Sequence, residues 1–335
     1  DSPAHRMKKH LLPLLQAAIT TYILMRLFGD AGIRTQAREA LAAADFYWLL
    51  MAAGAAVVSE TLCATRWWLI LRSFGMPLKW REAVAFSAIG LFYSLGLPGS
   101  AGGDAVRSLY VMRLFPDKKL AAAFSVLADR LCGMVALVVA MLATVAMRHE
   151  IFLSGELGRS VVLAAGILLA GAMLMLVLWW STSISALGDF IKRRHKWLGP
   201  HLLESGGIFN QMAGRPGTMV AGAALSGVGL AAHFFCYYFS ARAFETGLGL
   251  AEIFSVMPVV DTLTMVPIAL YGLGLREALF TVLLGEFFGV PSATATLLSL
   301  GGFGAQAAVA LLGIFFLPFV KFLGLPAKKP SSLRD

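Results

Sequence analysis

Several stretches of this chain run for about 20 residues or more with almost no charge, the length a helix needs to cross the roughly 30 Å hydrocarbon core of a bilayer. They lie at about Leu11 to Phe28, Phe46 to Leu71, Leu120 to Met147, Val161 to Trp180, Thr218 to Ala243 and Pro291 to Val320. Lipid offers no hydrogen bonds to a backbone, so such stretches are expected to be helices that satisfy their own N–H and C=O groups. With 335 residues, 58% hydrophobic and only 14% charged, and a mean hydropathy of +0.76, the chain is too apolar for a surface solvated by water.

The formal net charge of +9 fits a membrane as well. Lys and Arg collect in a few short connections, as in cytoplasmic loops, whereas a nucleic-acid binder would carry them as a basic face. No nucleic-acid partner is expected. Cys63, Cys132 and Cys236 each sit inside an apolar stretch without metal-like spacing and read as small buried hydrophobes. Leu11 to Phe28 follows Arg6, Lys8 and Lys9 like a signal-peptide core, but no small-residue cleavage site follows it, so it is expected to stay as a first helix.

Two further apolar regions are interrupted. Ala83 to Leu97 stops at Pro98-Gly99-Ser100-Ala101-Gly102-Gly103-Asp104 and resumes as Ala105 to Phe115; Ile253 to Leu270 breaks at Tyr271-Gly272-Leu273-Gly274-Leu275-Arg276-Glu277 and resumes as Ala278 to Phe288. Pieces this short around a Gly/Pro break predict re-entrant hairpins. Lys79 and Arg81 before the first pair and Lys118 and Lys119 after it put both its ends on the cytoplasmic side. The same rule makes Lys192 to Lys196 cytoplasmic, along with both termini. The expected architecture is an all-α polytopic membrane protein, one integral domain over 1–335, with about six transmembrane helices and two re-entrant helical hairpins. The order span, hairpin, span occurs at about 46–147 and again at 218–320, entering from opposite faces, as in an inverted-topology repeat. Between them, about 181–217 is expected to be a cytoplasmic loop with an amphipathic helix at the interface, since Leu187, Phe190, Ile191, Trp197 and Leu198 recur at helical spacing beside the basic cluster; an ordinary solvated linker is the alternative.

Broken backbone at membrane depth must line protein or a water-filled pocket, so both breaks are candidate sites. At the first, Ser100, Gly102, Gly103, Asp104 and Arg107 combine close backbone approach with a charged pair, although Asp104 is also an ordinary helix cap. At the second stand Arg276 and Glu277. A cation in hydrocarbon costs about 3 kcal/mol or more unless paired or hydrated, so Arg107 and Arg276 either pair structurally with Asp104 and Glu277 or meet an anionic group. Asp129 and Arg130, within a span, either bind substrate or pin helices together. Glu60 and Asp261 are candidates for proton coupling, and His233 reads as a hydrogen-bonded packing residue. Catalytic and metal motifs are missing from the sequence, so no enzyme activity, cofactor or metal is expected.

Arg66-Trp67-Trp68-Leu69-Ile70-Leu71, Leu97 through Arg107, Ser125-Val126-Leu127-Ala128-Asp129-Arg130, and Gly272 through Ala278 with Gly289-Val290-Pro291 together resemble the lysylphosphatidylglycerol synthase transmembrane-region family. That family, also described as flippase-like, includes the N-terminal flippase domain of MprF-type proteins. The resemblance implies a multi-pass protein of a bacterial or archaeal cytoplasmic (inner) membrane that moves charged phospholipids or glycolipids between leaflets. The partners it implies are membrane lipids with an anionic phospholipid or lipid-linked head group. MprF-type proteins also carry a soluble synthase domain; the sequence ends soon after Lys329, so none is expected here. An ion-coupled transporter of a small polar solute and a non-transporting partner of a lipid- or polysaccharide-synthesising enzyme remain as alternatives.

Overall fold

Residues 41–96, 101–184, 216–265 and 272–318 are described by the structure, a computed structural model, together with Thr35, Arg38 and Glu39. Among them every regular element is helical: α1 (Phe46–Ser73), α2 (Trp80–Gly96), α3 (Ala101–Leu114), α4 (Lys119–Met147), α5 (His149–Ser154), α6 (Glu156–Ile184), α7 (Pro216–Ala243), α8 (Leu250–Thr264), α9 (Leu275–Phe288) and α10 (Ser292–Leu312). Short 3₁₀ turns at Pro116–Lys118 and Gly313–Phe316 extend α4 and α10. The segments Phe46–Ser73, Pro116–Met147, Val220–Ala243 and Ser292–Phe316 are long and apolar enough to cross a membrane. Their outward faces carry large exposed apolar side chains such as Val58, Val139, Leu142 and Val228; a surface of this kind suits lipid as its solvent. The expected first span at Leu11 to Phe28 lies outside the described residues, as does nearly all of the 181–217 loop.

Helices α1 and α7 form the centre and run antiparallel. Asp45 N–H donates to Ala243 O at 3.0 Å, Ser59 Oγ to Gly229 O at 2.9 Å, and Arg66 to Ser226 Oγ at 2.9 Å, so one helix ascends as the other descends. Small buried residues at the contact, Ala52, Ala56 and Cys236, let the backbones approach, as in membrane helix pairs generally. Asp45 starts α1 by accepting from Tyr47 N–H at 2.9 Å.

Helices α2 and α3, about 26 and 21 Å long, fold back on each other. The Phe86 and Tyr110 rings stack at 5.3 Å, and Gly90 meets Gly103 near the far end. Lys118 Nζ donates to Gly75 O at 2.7 Å, tying the exit of the hairpin to its entrance. The sequence places Gly102 and Gly103 in the break, whereas the structure winds both into the first turn of α3; Asp104 in that first turn suits the positive end of the helix. The second hairpin is α8 and α9, where Gly272 and Gly274 take φ values of +75° and +83°, a region open to glycine. Pro258 inside α8 frees the carbonyl of Phe254, and Thr144 Oγ1 of α4 fills it at 3.3 Å. Arg148 and Glu252 pair at 3.2 Å close by, so α4 and α8 are joined at this end.

Candidate functional site

Three arginines and two aspartates from three helices form a continuous chain of opposite charges. Arg66 Nε of α1 meets Asp129 Oδ1 of α4 at 2.7 Å; the other oxygen, Oδ2, accepts from Arg107 of α3 at 2.9 Å. Arg107 also reaches Asp104 Oδ1 at 2.8 Å, one turn back on its own helix, and Asp104 Oδ2 accepts from Arg130 Nε at 2.6 Å. Arg66, Arg107 and Asp129 are all buried, and each ion is held by at least two others or by a hydroxyl, the condition under which buried charge is tolerated. Arg66 is 20 residues into an apolar helix, a signal that could have singled it out; its partner is remote in sequence, and so it passed as part of a motif.

This chain forms one wall of a cavity of about 430 Å³, within the range that holds small-molecule groups. Asp104, Arg107, Asp129 and Arg130 line it from the first hairpin and α4, and Gly272 and Arg276 line it from the second break. Both interrupted regions therefore meet at one polar space. Glu60 of α1, His233 of α7, Asp261 of α8 and Gln306 of α10 line it as well. His233 Nε2 is 3.2 Å from Asp261 Oδ2. Arg107 Nε and Ser87 Oγ, on two lining residues, are buried donors with no hydrogen-bond partner among the described residues; buried polar groups are normally satisfied, and a bound molecule would do so.

The two hairpins treat their arginines alike. Arg107 lies 4.7 Å over the Trp67 ring, and Arg276 lies 5.9 Å over the Tyr237 ring. Trp67 and Tyr237 are fully buried, and each stands six residues before the end of its helix, α1 or α7. An aromatic face below a guanidinium holds the cation without consuming its N–H groups.

Glu277 departs from the sequence expectation. It does not line the cavity; its Oε2 accepts from Gly274 N–H at 2.5 Å and its Oε1 from Ser299 Oγ at 2.9 Å, all buried. Consecutive helical residues point in different directions, so Arg276 turns to the cavity while Glu277 caps α9 and fastens it to α10. Glu277→Ala is expected to cost about 1–3 kcal/mol by leaving two buried donors unmet, read as a lower unfolding midpoint. Gly103 lines the space, but its missing side chain serves the contact with Gly90. Gly102 is not among the lining residues, and Ser100 lies outside the described residues.

An all-helical bundle with several spanning-length helices around a buried, charge-lined cavity is a multi-pass membrane protein. The chain matches the family described as the lysylphosphatidylglycerol synthase TM region over residues 14–313, and it belongs to that family. Comparison with curated proteins returned no match.

Proposed function

We propose that the protein is a lipid translocase that moves an anionic or otherwise charged phospholipid or glycolipid between leaflets of a cytoplasmic (inner) membrane, without altering it chemically. The observation that carries this is the exposure of two residues that line the cavity. Arg130 and Met265 both line it and yet are 47% and 45% exposed, and Arg130 is 11 residues into a helix of 29. Half-exposed Leu127 lies one helical step away. Exposure of a cavity-lining arginine at mid-helix, beside an apolar side chain, supports a sideways route by which a head group enters while its acyl chains stay in lipid. Membership of a family tied to lipid metabolism supports the reading, as do the unmet donors of Arg107 and Ser87.

On this reading residues 46–147 and 218–320 are two repeats of opposite orientation, each with one re-entrant hairpin, and about six helices span the membrane. The antiparallel run of α1 and α7 supports it. So does the equal spacing of six residues between Ser73 and Trp80 and between Ala243 and Leu250. Lys and Arg at 79–81, 118–119 and 192–196 support a cytoplasmic side for those connections and for both termini.

In proteoliposomes, fluorescent phosphatidylglycerol is expected to exchange leaflets well above the rate in empty vesicles. Arg276→Ala should slow exchange about 10- to 100-fold, the loss of one charged hydrogen-bonding group. Exchange no faster than empty vesicles over a broad lipid panel would refute translocation.

A further inference from the structure

Among the described lining residues the formal charges balance, four arginines against four carboxylates, and His233 stands with them; histidine is the side-chain type suited to gaining or losing a proton near neutral pH. An anionic head group entering this space upsets that balance in a medium that screens poorly. We propose that the His233–Asp261 pair is a proton-binding site that loads together with the head group, so that anion and proton occupy the cavity as a neutral pair. The proposal rests on the reading of this cavity as a head-group site.

The geometry suits the task. His233 Nε2 lies 3.2 and 3.4 Å from the two Asp261 oxygens, so a protonated ring is shared by the whole carboxylate. The ring stands edge-on to Tyr237 at 5.4 Å, the same ring that carries Arg276, which places the proton site beside the second hairpin's arginine. His233 and Asp261 keep side-chain exposures of 21% and 15%, enough for a proton to arrive from water in the cavity. From the elements around the pair, the titratable and charged groups are Glu60, Cys63 and Arg66 on α1 and Arg276 on α9. Asp104 and Arg107 face it from α3, Asp129 and Arg130 from α4. The ion-pair chain already holds each of these last four, as it holds Arg66. Among the described residues, the hydrogen-bonding contact of the His233 and Asp261 side chains is with each other, outside the arginine–aspartate chain.

Binding of short-chain phosphatidylglycerol to the purified protein, followed by calorimetry near pH 7 in buffers of differing ionisation enthalpy, is expected to take up about one proton per lipid. His233→Gln should bind with uptake near zero. In vesicles of phosphatidylethanolamine and phosphatidylglycerol, wild-type exchange should fall about tenfold between about pH 6 and pH 8, and the variant's profile should be flat. Should His233→Gln fail to fold, Asp261→Asn replaces it, with the same loss of uptake expected. Lipid binding without proton uptake overturns the proposal, as does uptake that persists in the variant or uptake with inorganic phosphate but not with the lipid. Exchange that is fast but independent of pH overturns the coupling and leaves translocation standing. Proton-linked binding with no exchange refutes translocation instead and leaves the proton site.

Discussion

Asp129→Ala is expected to destabilise the protein by about 3–5 kcal/mol, the cost of removing one partner from a buried ion pair. Both oxygens of Asp129 are engaged, Oδ1 by Arg66 and Oδ2 by Arg107, and each arginine comes from a different helix. Without the carboxylate, Arg66 keeps Ser226 and Arg107 keeps Asp104, but two guanidinium charges face each other across the space that Asp129 filled. Thermal unfolding in detergent should show a large drop in midpoint, and proteoliposomes should show no exchange from the protein that survives. Asp129→Asn keeps the shape and one acceptor and should fall between. A double change, Asp129→Ala with Arg66→Met, should recover part of the loss, because coupled sites deviate from additivity by about 0.5–3 kcal/mol. An Asp129→Ala protein as stable as wild type would mean that the charge chain does not hold α1, α3 and α4 together.

Much of this arrangement was legible in the sequence. Long apolar runs are set by bilayer thickness, and α1, α4 and α7 begin and end within about two residues of where hydropathy puts them. The two breaks were legible for the same reason, because Gly and Pro inside an apolar run have few other uses. Asp104 and Arg107 could be paired from their spacing alone, since residues three apart share a helix face. Pairings across helices were not. Arg66 meets Asp129 from 63 residues away, and no periodicity within either helix encodes which neighbour it will face. Glu277 was misjudged through adjacency: next to Arg276 in sequence, it points elsewhere in space, and Gly274 and Ser299 take both its oxygens. His233 and Asp261 share the limitation: a coupling candidate and a hydrogen-bonded packing residue can each be read from its own helix, but their 3.2 Å pairing depends on how α7 and α8 pack.

Gly103 is the glycine at which side-chain volume should matter most at the cavity. A Cβ there would clash with Ser94 Oγ and with Gly90 O. Ser94 could swing away, but Gly90 O belongs to the backbone of α2, and separating α2 from α3 is the only other relief. Gly103→Ala is therefore expected to cost about 1–3 kcal/mol or more as overpacking, despite alanine's better helix propensity. The displaced α3 also carries Asp104 and Arg107, so ion pairs of 2.8 and 2.9 Å open with it, and a misplacement of about 1 Å is enough to lose roughly 100-fold in a positioned site. Exchange should drop by that order even at temperatures where the fold persists, and adding Ser94→Ala should not restore it. The contrasting glycine is Gly54 in α1, where an added Cβ meets nothing within 4 Å. Gly54→Ala should be neutral or stabilise by about 0.5–1 kcal/mol through reduced chain entropy. If Gly103→Ala behaved like Gly54→Ala in both melting and exchange, close contact between the two arms of the first hairpin would not be what positions Arg107.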